Sequence, residues 1–225
     1  MTDLLISLEE VWKLFSLGDV NVAALKGLTL FVKKGEFVAL LGPSGSGKST
    51  AMSLVGCLDL PSKGRVLLHG KDISLMSESD LAQVRGRMIG FVFQAFHLIP
   101  SLTLLENVAL PLVFQGKSSH FRFKRAEELL RSLGLEHRLH HHPNQISGGE
   151  MQRTAIARAL VNDPDILLAD EPTGNLDTVT GDKVINIFHE LHKKYKKTII
   201  MVTHDMHLAK QADRIIKIKD GVVVA

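Results

Sequence analysis

The fold is decided by one short stretch, Gly42-Pro43-Ser44-Gly45-Ser46-Gly47-Lys48-Ser49. It matches the phosphate-binding pattern G-x-x-x-x-G-K-[ST], follows the apolar run 37–41 directly and precedes a helix-compatible segment. Glycines let backbone N–H groups wrap around phosphate oxygens, and a helix N-terminus attracts anions. This context favours a phosphate site between a strand and a helix over a plain glycine turn.

The residue types in this stretch assign roles to its members. We expect Lys48 to reach the β- and γ-phosphates of a nucleotide and the Ser49 hydroxyl to ligate Mg²⁺. The predicted ligands are therefore a nucleoside triphosphate and Mg²⁺. The predicted nucleotide-binding positions are Gly42, Pro43, Ser44, Gly45, Ser46, Gly47, Lys48, Ser49 and Thr50.

A second constellation is Ile166-Leu167-Leu168-Ala169-Asp170-Glu171, an apolar strand that ends in two acids. Ligands of open α/β sheets bind at the carboxyl ends of strands. Asp170 suits the coordination shell of Mg²⁺. Glu171 is predicted to accept a proton from the water that attacks the γ-phosphate. An apolar strand ending in Asp-Glu is weak by itself and gains weight from the phosphate loop.

Strand-length apolar runs alternate with helical stretches along most of the chain, the rhythm of parallel βαβ units. Runs 166–169 and 198–202 have the continuous apolar character of central strands. The shorter runs 4–8, 28–32 and 66–69 indicate an antiparallel layer, and residues 214–224 have a hairpin pattern.

Residues 95–155 break this rhythm with helical spacing and no convincing strand. The predicted fold is therefore α/β: a P-loop NTPase core with a mostly parallel central sheet, a small antiparallel β layer and an inserted α-helical subdomain. We place the core at about 1–94 and 156–225, and the helical subdomain at about 95–155.

Composition excludes several classes of protein. The 225 residues are 45% hydrophobic and 23% charged, which excludes a disordered or collagen-like chain. The 27 Lys and Arg exceed the 24 Asp and Glu by only three, and no nucleic-acid partner is expected. Cys57 is the single cysteine, which favours a reducing compartment. With no secretory signal and no apolar run near the ~18 residues of a membrane span, we expect a chain that is soluble by itself.

The segment Ile146-Ser147-Gly148-Gly149-Glu150 resembles the signature motif of ATP-binding cassette (ABC) ATPases. The resemblance implies a dimer in which Ser147, Gly148 and Gly149 of one subunit close over the ATP bound by the other. The usual form of this motif is Leu-Ser-Gly-Gly-Gln, so Ile146 and Glu150 depart from it. Glu150 places a negative charge near the site.

Four other positions match the family in order. Gln94 resembles the glutamine that senses Mg²⁺ and the attacking water, and His204 resembles the switch histidine at the γ-phosphate. Asp177 lies in a loop similar to the one that communicates across the dimer. Phe15 stands where the family has an aromatic residue that stacks on adenine, although a core role for Phe15, or stacking by Trp12, is an alternative. A strand-end role for His204 is another.

Within the family, residues 90–100, 106–112 and 168–177 resemble the lipoprotein-release and macrolide-export branch, the LolD and MacB type. This implies an ATPase subunit, paired with itself or with a second ATPase, that serves a separate permease at the cytoplasmic face of the membrane. The substrate would be a lipoprotein, a peptide or a drug. The alternatives are a regulatory ATPase of the cell-division type and a DNA-repair or chromosome ATPase. The second usually carries a long coiled coil, of which no heptad pattern gives a sign.

Two further features have open interpretations. The apolar residues of 96–114 form either a patch that docks a membrane partner's helix or a partly buried helix pair. The histidines His137, His140, His141 and His142 are interpreted as surface residues in preference to a metal site, because no cysteine or carboxylate pair accompanies them.

Overall fold

The computed structural model describes residues 4–18 and 20–224 and alternates strands with helices along the chain. The strands are β1 (Leu4–Leu17), β2 (Val20–Lys33), β3 (Phe37–Leu41), β4 (Lys63–Leu68), β5 (Lys71–Asp72), β6 (Ile89–Phe93), β7 (Ile166–Asp170), β8 (Thr198–Thr203), β9 (Arg214–Lys219) and β10 (Val222–Val224). The helices are α1 (Lys48–Val55), α2 (Glu78–Met88), α3 (Leu104–Phe114), α4 (Ser119–Ser132), α5 (Gly148–Leu160), α6 (Thr178–Lys193) and α7 (Met206–Ala209).

The chain divides into two compact units. The first comprises residues 1–85 and 192–225, and the second comprises residues 86–191. The second unit contains the predicted helical subdomain together with β6, β7 and most of α6. The boundaries 95 and 155 of that subdomain stay a prediction.

The first unit contains two layers of strands. β2, β1, β4 and β5 form an antiparallel sheet in that order. β3 pairs in parallel with both β8 and β9, and β10 pairs antiparallel with β9. Every residue of β3 and β8 is buried, as their continuous apolar character predicts. β1 and β2 are each 14 residues long, well beyond the predicted runs, because register shifts allow their pairing to continue.

The second unit pairs two parallel strands and packs three helices around one apolar core. β6 and β7 are parallel neighbours. α3, α4 and α5 supply most of a fully buried cluster. Its members are Leu104, Val108, Ala109, Leu112, Ala126, Leu130, Leu135, Ala157 and Val161.

The apolar stretch 96–114 is therefore used largely for packing. Leu104, Val108 and Leu112 of α3 lie in the core, whereas Ile99, Val113 and Phe114 are exposed. The helix-pair interpretation accounts for most of this stretch, and the docking interpretation is left with those three exposed side chains.

The predicted fold class is confirmed: an α/β chain with parallel strands, an antiparallel layer and a cluster of helices. Among the residues that the structure describes, no helix combines the length and the apolar character that a bilayer crossing requires.

Candidate functional site

The phosphate loop joins the buried strand β3 to helix α1. Gly47, at the N-cap of α1, has φ +100°, a conformation that side chains with a Cβ rarely adopt. A Cβ on Gly47 would also lie 2.6 Å from the carbonyl oxygen of Ala24. No side chain caps α1. Because the first N–H groups of a helix have no partner within it, the start of α1 is open to an anion.

The strands β9 and β10 and the turn between them hold this loop in place. A Cβ on Gly42 would lie 2.1 Å from the carbonyl oxygen of Ile218 in β9. The N–H of Gly221, between β9 and β10, donates to the carbonyl oxygen of Ser46 over 3.0 Å. Gly42 therefore lets the loop approach β9, and the final hairpin holds it in shape.

Lys48 is buried within the loop. Its side-chain nitrogen donates to the carbonyl oxygens of Gly42 (2.8 Å) and Pro43 (2.7 Å). Across the described residues, the buried Ser46 hydroxyl has no hydrogen-bond partner. A buried polar atom normally has one, so a hydroxyl and an ammonium group in a loop of N–H donors fit a phosphate ligand. Ser49, the predicted Mg²⁺ ligand, is exposed.

His204 follows β8 at the edge of the sheet where the phosphate loop follows β3. The parallel register pairs Leu41 of β3 with Thr203 of β8, so Gly42 and His204 are the next residues on neighbouring strands. His204 is exposed. Asp205 caps α7, where its Oδ1 accepts from the N–H of His207 over 2.7 Å. The predicted contact of His204 with a γ-phosphate stays a prediction.

Phe15 does not belong to the core, so that alternative is wrong. Its side chain is 42% exposed on β1, and the Lys13 ammonium lies 5.2 Å from the centre of its ring. Trp12 is exposed to a similar extent. Both rings are available for stacking, and the assignment to Phe15 stays a prediction.

In the second unit, the ends of β6 and β7 bring three predicted residues together. Their register pairs Phe93 with Asp170, so Gln94 and Glu171 follow at matching positions on neighbouring strands. Asp170 and Glu171 are partly buried. Glu171 has φ +43°, the left-handed region, and such conformations cluster at functional sites.

The Gln94 side chain is held by the loop after β7. Its Nε2 donates to the Asn175 Oδ1 over 3.3 Å, and the Asn175 Nδ2 donates to the Gln94 carbonyl oxygen over 2.9 Å. A Cβ on Gly174 would lie 2.6 Å from the Gln94 Nε2. Gly174 and Asn175 therefore position Gln94, roles that only this long-range contact reveals.

The signature segment begins helix α5. Ser147 is the N-cap, and Glu150 completes a capping box. The Glu150 Oε2 accepts from the Ser147 N–H (2.8 Å) and hydroxyl (2.9 Å), while its Oε1 accepts from the Arg138 Nε over 3.1 Å. Hydrogen bonding by the Ser147 N–H, together with Arg138, lowers the pKa of Glu150 below its ordinary 4.5. Arg138, which no sequence motif indicates, thus compensates the negative charge by which this signature departs from its usual form.

The same helix supports the turn that carries Glu171. Gln152 is fully buried, and its Nε2 donates to the carbonyl oxygen of Pro172. A Cβ on Gly149 would lie 2.4 Å from the Thr180 methyl group, so a glycine is required there for close packing against α6. The signature helix and the β7 turn therefore form one packed structure inside the second unit.

Asp177 caps helix α6. Its Oδ1 accepts from the Thr180 N–H over 3.0 Å, and bonding by the Thr180 side chain and then its N–H lowers the pKa of Asp177. This is a local helix-capping role. The predicted communication across a dimer stays a prediction.

The histidine segment forms no metal site in the part of the chain that the structure describes. His137 lies 3.6 Å from Glu136 and is well exposed, and His141 lies 3.2 Å from a guanidinium nitrogen of Arg138. His137 and His140 are exposed, as the surface interpretation expects, whereas His141 and His142 are half-buried.

Comparisons with known proteins agree with a nucleotide-binding cassette. The chain matches the ABC transporter family over residues 25–174. It is 52% identical, over 96% of its length, to an uncharacterized ABC transporter ATP-binding protein of Thermotoga maritima, of which it covers 92%. It is 49% identical, over 99% of its length, to the macrolide export ATP-binding/permease protein MacB of Bartonella henselae, but spans only 34% of that protein.

A solved structure supports the same assignment. The dimeric ATP-binding cassette MJ0796, in a post-hydrolysis state bound to ADP and phosphate, shares a TM-score of 0.91 and 46% identity with this chain. The match covers 98% of this chain and 97% of that one. The fold, the phosphate loop and these relatives together show that the chain belongs to the ABC transporter family as an ATP-hydrolysing cassette.

Proposed function

We propose that this chain is the ATPase subunit of a membrane transporter, in which hydrolysis of MgATP powers export or extraction of a substrate through a separate permease. The observation that carries this proposal is the phosphate loop, with the Lys48 ammonium held among loop carbonyl oxygens and an unpartnered Ser46 hydroxyl beside it. The MacB relatives support the transport role, because their name joins an ATP-binding and a permease function.

The nucleotide is held by groups of the first unit. The backbone N–H groups of residues 42–50, apart from Pro43, which has none, and the Lys48 ammonium bind the phosphates, and Phe15 stacks on adenine. Ser49, Gln94 and Asp170 would hold Mg²⁺. When bound, this ion neutralises charge on the β- and γ-phosphates. The side chains present fit that ion, since they offer a hydroxyl, an amide oxygen and a carboxylate.

Hydrolysis is an in-line attack of water on the γ-phosphate. Glu171 accepts the proton of that water or orients it, and His204 contacts the γ-phosphate. Lys48 and the loop N–H groups stabilise the charge that develops in the transition state. The two hydrogen bonds between Gln94 and Asn175 hold Gln94 after β6, at the position that matches Glu171 after β7.

A dimer completes the site. Ser147, Gly148 and Gly149 of one subunit cover the nucleotide bound by the other, whether that subunit is a second copy or a different ATPase. Because ATP binds the closed dimer better than the open one, its binding drives closure, which is the mechanical step. The dimeric state of the MJ0796 cassette supports this arrangement.

The proposed location is the cytoplasmic face of the membrane, where the permease holds the chain. A lipoprotein, a peptide or a drug is the proposed substrate class. A chromosome-type ATPase is disfavoured because the longest helix between Ser49 and Asp170 is α4, with 14 residues, and no coiled coil is present there. A regulatory cell-division ATPase would use the same cassette and differs in having no transported substrate.

The catalytic assignment is tested by Glu171→Gln. Loss of the proton acceptor should lower turnover by about 100-fold or more while MgATP still binds. An ATP-bound dimer should then accumulate in gel filtration. Glu78→Gln, at an exposed position on α2, is the matched control and should keep wild-type turnover. Near-normal turnover of Glu171→Gln would remove Glu171 from this role.

The transport assignment is tested by purifying the tagged chain from detergent-solubilised membranes. We expect a polytopic membrane protein to copurify in a ratio that survives washing. Recovery of DNA with no membrane protein would contradict the transporter assignment. Recovery of a membrane protein that moves no substrate in reconstituted vesicles would favour the regulatory one.

A further inference from the structure

One exposed surface of the second unit has no role in the cassette chemistry. It is the hairpin tip, residues 113–125, which contains the end of α3, the connection to α4 and the first turns of α4. Its sequence is Val113-Phe114-Gln115-Gly116-Lys117-Ser118-Ser119-His120-Phe121-Arg122-Phe123-Lys124-Arg125. Three phenylalanines in 13 residues are exposed, and Phe114 is 81% exposed.

The hairpin tip is strongly basic. It contains four of the 27 Lys and Arg and none of the 24 Asp and Glu. The other 212 residues therefore hold 23 basic against 24 acidic side chains, a net charge of −1. The hairpin tip is thus one of two local concentrations of positive charge, and the other is the basic run 193–197.

Most of this charge is uncompensated. Across residues 4–18 and 20–224, Lys117, Arg122 and Lys124 have no carboxylate within ion-pair distance. Lys117 instead lies over the Phe121 ring, with its nitrogen 5.7 Å from the ring centre. Of the four cations, Arg125 alone is near an acid, Glu128, at 3.9 Å.

The exposed phenylalanines are not explained by packing. α4 contributes Ala126 and Leu130 to the core, whereas Phe121 is 47% and Phe123 is 36% exposed. Exposed aromatic side chains beside uncompensated cations match the chemistry of an anionic bilayer surface. Lysine and arginine are attracted to lipid phosphates, and phenylalanine enters the boundary between headgroups and acyl chains.

We infer that the hairpin tip binds the anionic phospholipid surface of the membrane. This contact is made by the chain itself and goes beyond the proposed attachment through a permease. It does not require ATP hydrolysis, so it stands or falls separately from the proposed function. An acidic protein segment would match the cations, but exposed phenylalanines at both ends of the tip favour a surface that also accepts apolar groups.

The experiment is flotation of the purified chain with lipid vesicles. We expect binding to vesicles that contain phosphatidylglycerol, little binding to pure phosphatidylcholine, and weakening as salt is raised. Lys117→Gln, Arg122→Gln and Lys124→Gln together should lower the partition coefficient by about 100-fold, at about fivefold per charge. Phe114→Ser with Phe121→Ser should lower it by at least about tenfold.

Matched controls separate a specific surface from general electrostatics. Lys193→Gln, Lys194→Gln and Lys196→Gln together remove equal charge from the longest basic run and should change binding less than about twofold. Leu75→Ser, at a residue 86% exposed, is the control for the phenylalanine changes. Wild-type ATPase activity in every variant shows that the fold is intact.

Three outcomes would overturn the inference. The first is an equal loss of binding when the three cations of the hairpin tip and the three lysines of the basic run are replaced by glutamine. The second is equal binding to neutral and anionic vesicles. The third is absence of vesicle binding together with capture of an acidic protein that the hairpin-tip substitutions abolish.

Discussion

The phosphate loop and the signature segment each lead into the N-terminus of a helix, but the two N-termini are capped in opposite ways. Helix α1 starts at Gly47 without any side-chain cap. Helix α5 starts at Ser147 with a complete capping box, whose Glu150 carboxylate accepts from the Ser147 N–H and from Arg138. The start of α1 is open to an external anion, whereas the start of α5 already has an internal one.

The difference follows from the residues at the two starts. At α1, glycine supplies the left-handed backbone and no oxygen, so the donors stay available and Lys48 adds a positive charge. At α5, serine and glutamate satisfy donors of the first turn, and Arg138 neutralises the remaining charge. We expect the first region to determine nucleotide affinity and the second to act only when a nucleotide is presented by another subunit.

The largest expected effect is that of Lys48→Ala. Removing a charge-assisted bond to phosphate should weaken MgATP binding by about 10- to 150-fold, the equivalent of ~1.5–3 kcal/mol. Isothermal titration of the purified chain measures this directly. Lys197→Ala, outside the loop, is the control. Unchanged MgATP affinity would show that the start of α1 is not the nucleotide site, and the contrast with α5 would then not hold.

The next effect is that of Gly47→Ala. The added Cβ meets the Ala24 carbonyl oxygen and forces alanine into φ +100°, so the free energy of unfolding should fall by about 2–3 kcal/mol. Gly45→Ala is the matched control, because its φ is +75° but nothing lies within 4 Å of the added Cβ. It should cost only about 1 kcal/mol. Equal losses in urea unfolding would show that the contact with Ala24 does not matter.

The third effect concerns Arg138 and is measured as a double-mutant cycle with Glu150→Gln. Arg138→Ala alone leaves a carboxylate uncompensated at the signature, and repulsion of the γ-phosphate should lower ATPase turnover by about tenfold. In the Glu150→Gln background the same change should lower turnover less than about twofold. Arg131→Ala breaks the comparable surface pair with Glu127 and should leave turnover unchanged. Equal effects of Arg138→Ala in both backgrounds would mean that it does not act through Glu150.

Local sequence patterns predicted the phosphate loop better than they predicted the contacts that surround the signature segment. The phosphate loop directly follows β3, and Asp170 and Glu171 stand at the end of β7, so one contiguous stretch of sequence was sufficient to predict each of these two sites. The Arg138 pair with Glu150, the Asn175 bonds to Gln94 and the approach of Gly42 to Ile218 join separate parts of the chain. Such partners depend on tertiary packing, which neither periodicity nor a motif encodes. The same reason explains why Phe15 could be placed in the core or on the surface until the structure showed it exposed.

The smallest expected effect is the pH dependence of the α5 cap. Because the pKa of Glu150 is lowered in the folded chain, its contribution to stability is present above the ordinary value of 4.5 and is lost as pH falls through the lowered pKa. Glu106, in the cap of α3, also has a lowered pKa, so its contribution to stability is also lost as pH falls. The measurement is therefore the difference in unfolding free energy between the wild type and Glu150→Gln, in which the Glu106 contribution cancels. This difference should be constant from about pH 7 to pH 5 and should shift against the wild type at lower pH. A difference that stays constant down to about pH 3 would show that the Glu150 carboxylate gains nothing from its charge, and that α5 has a neutral cap.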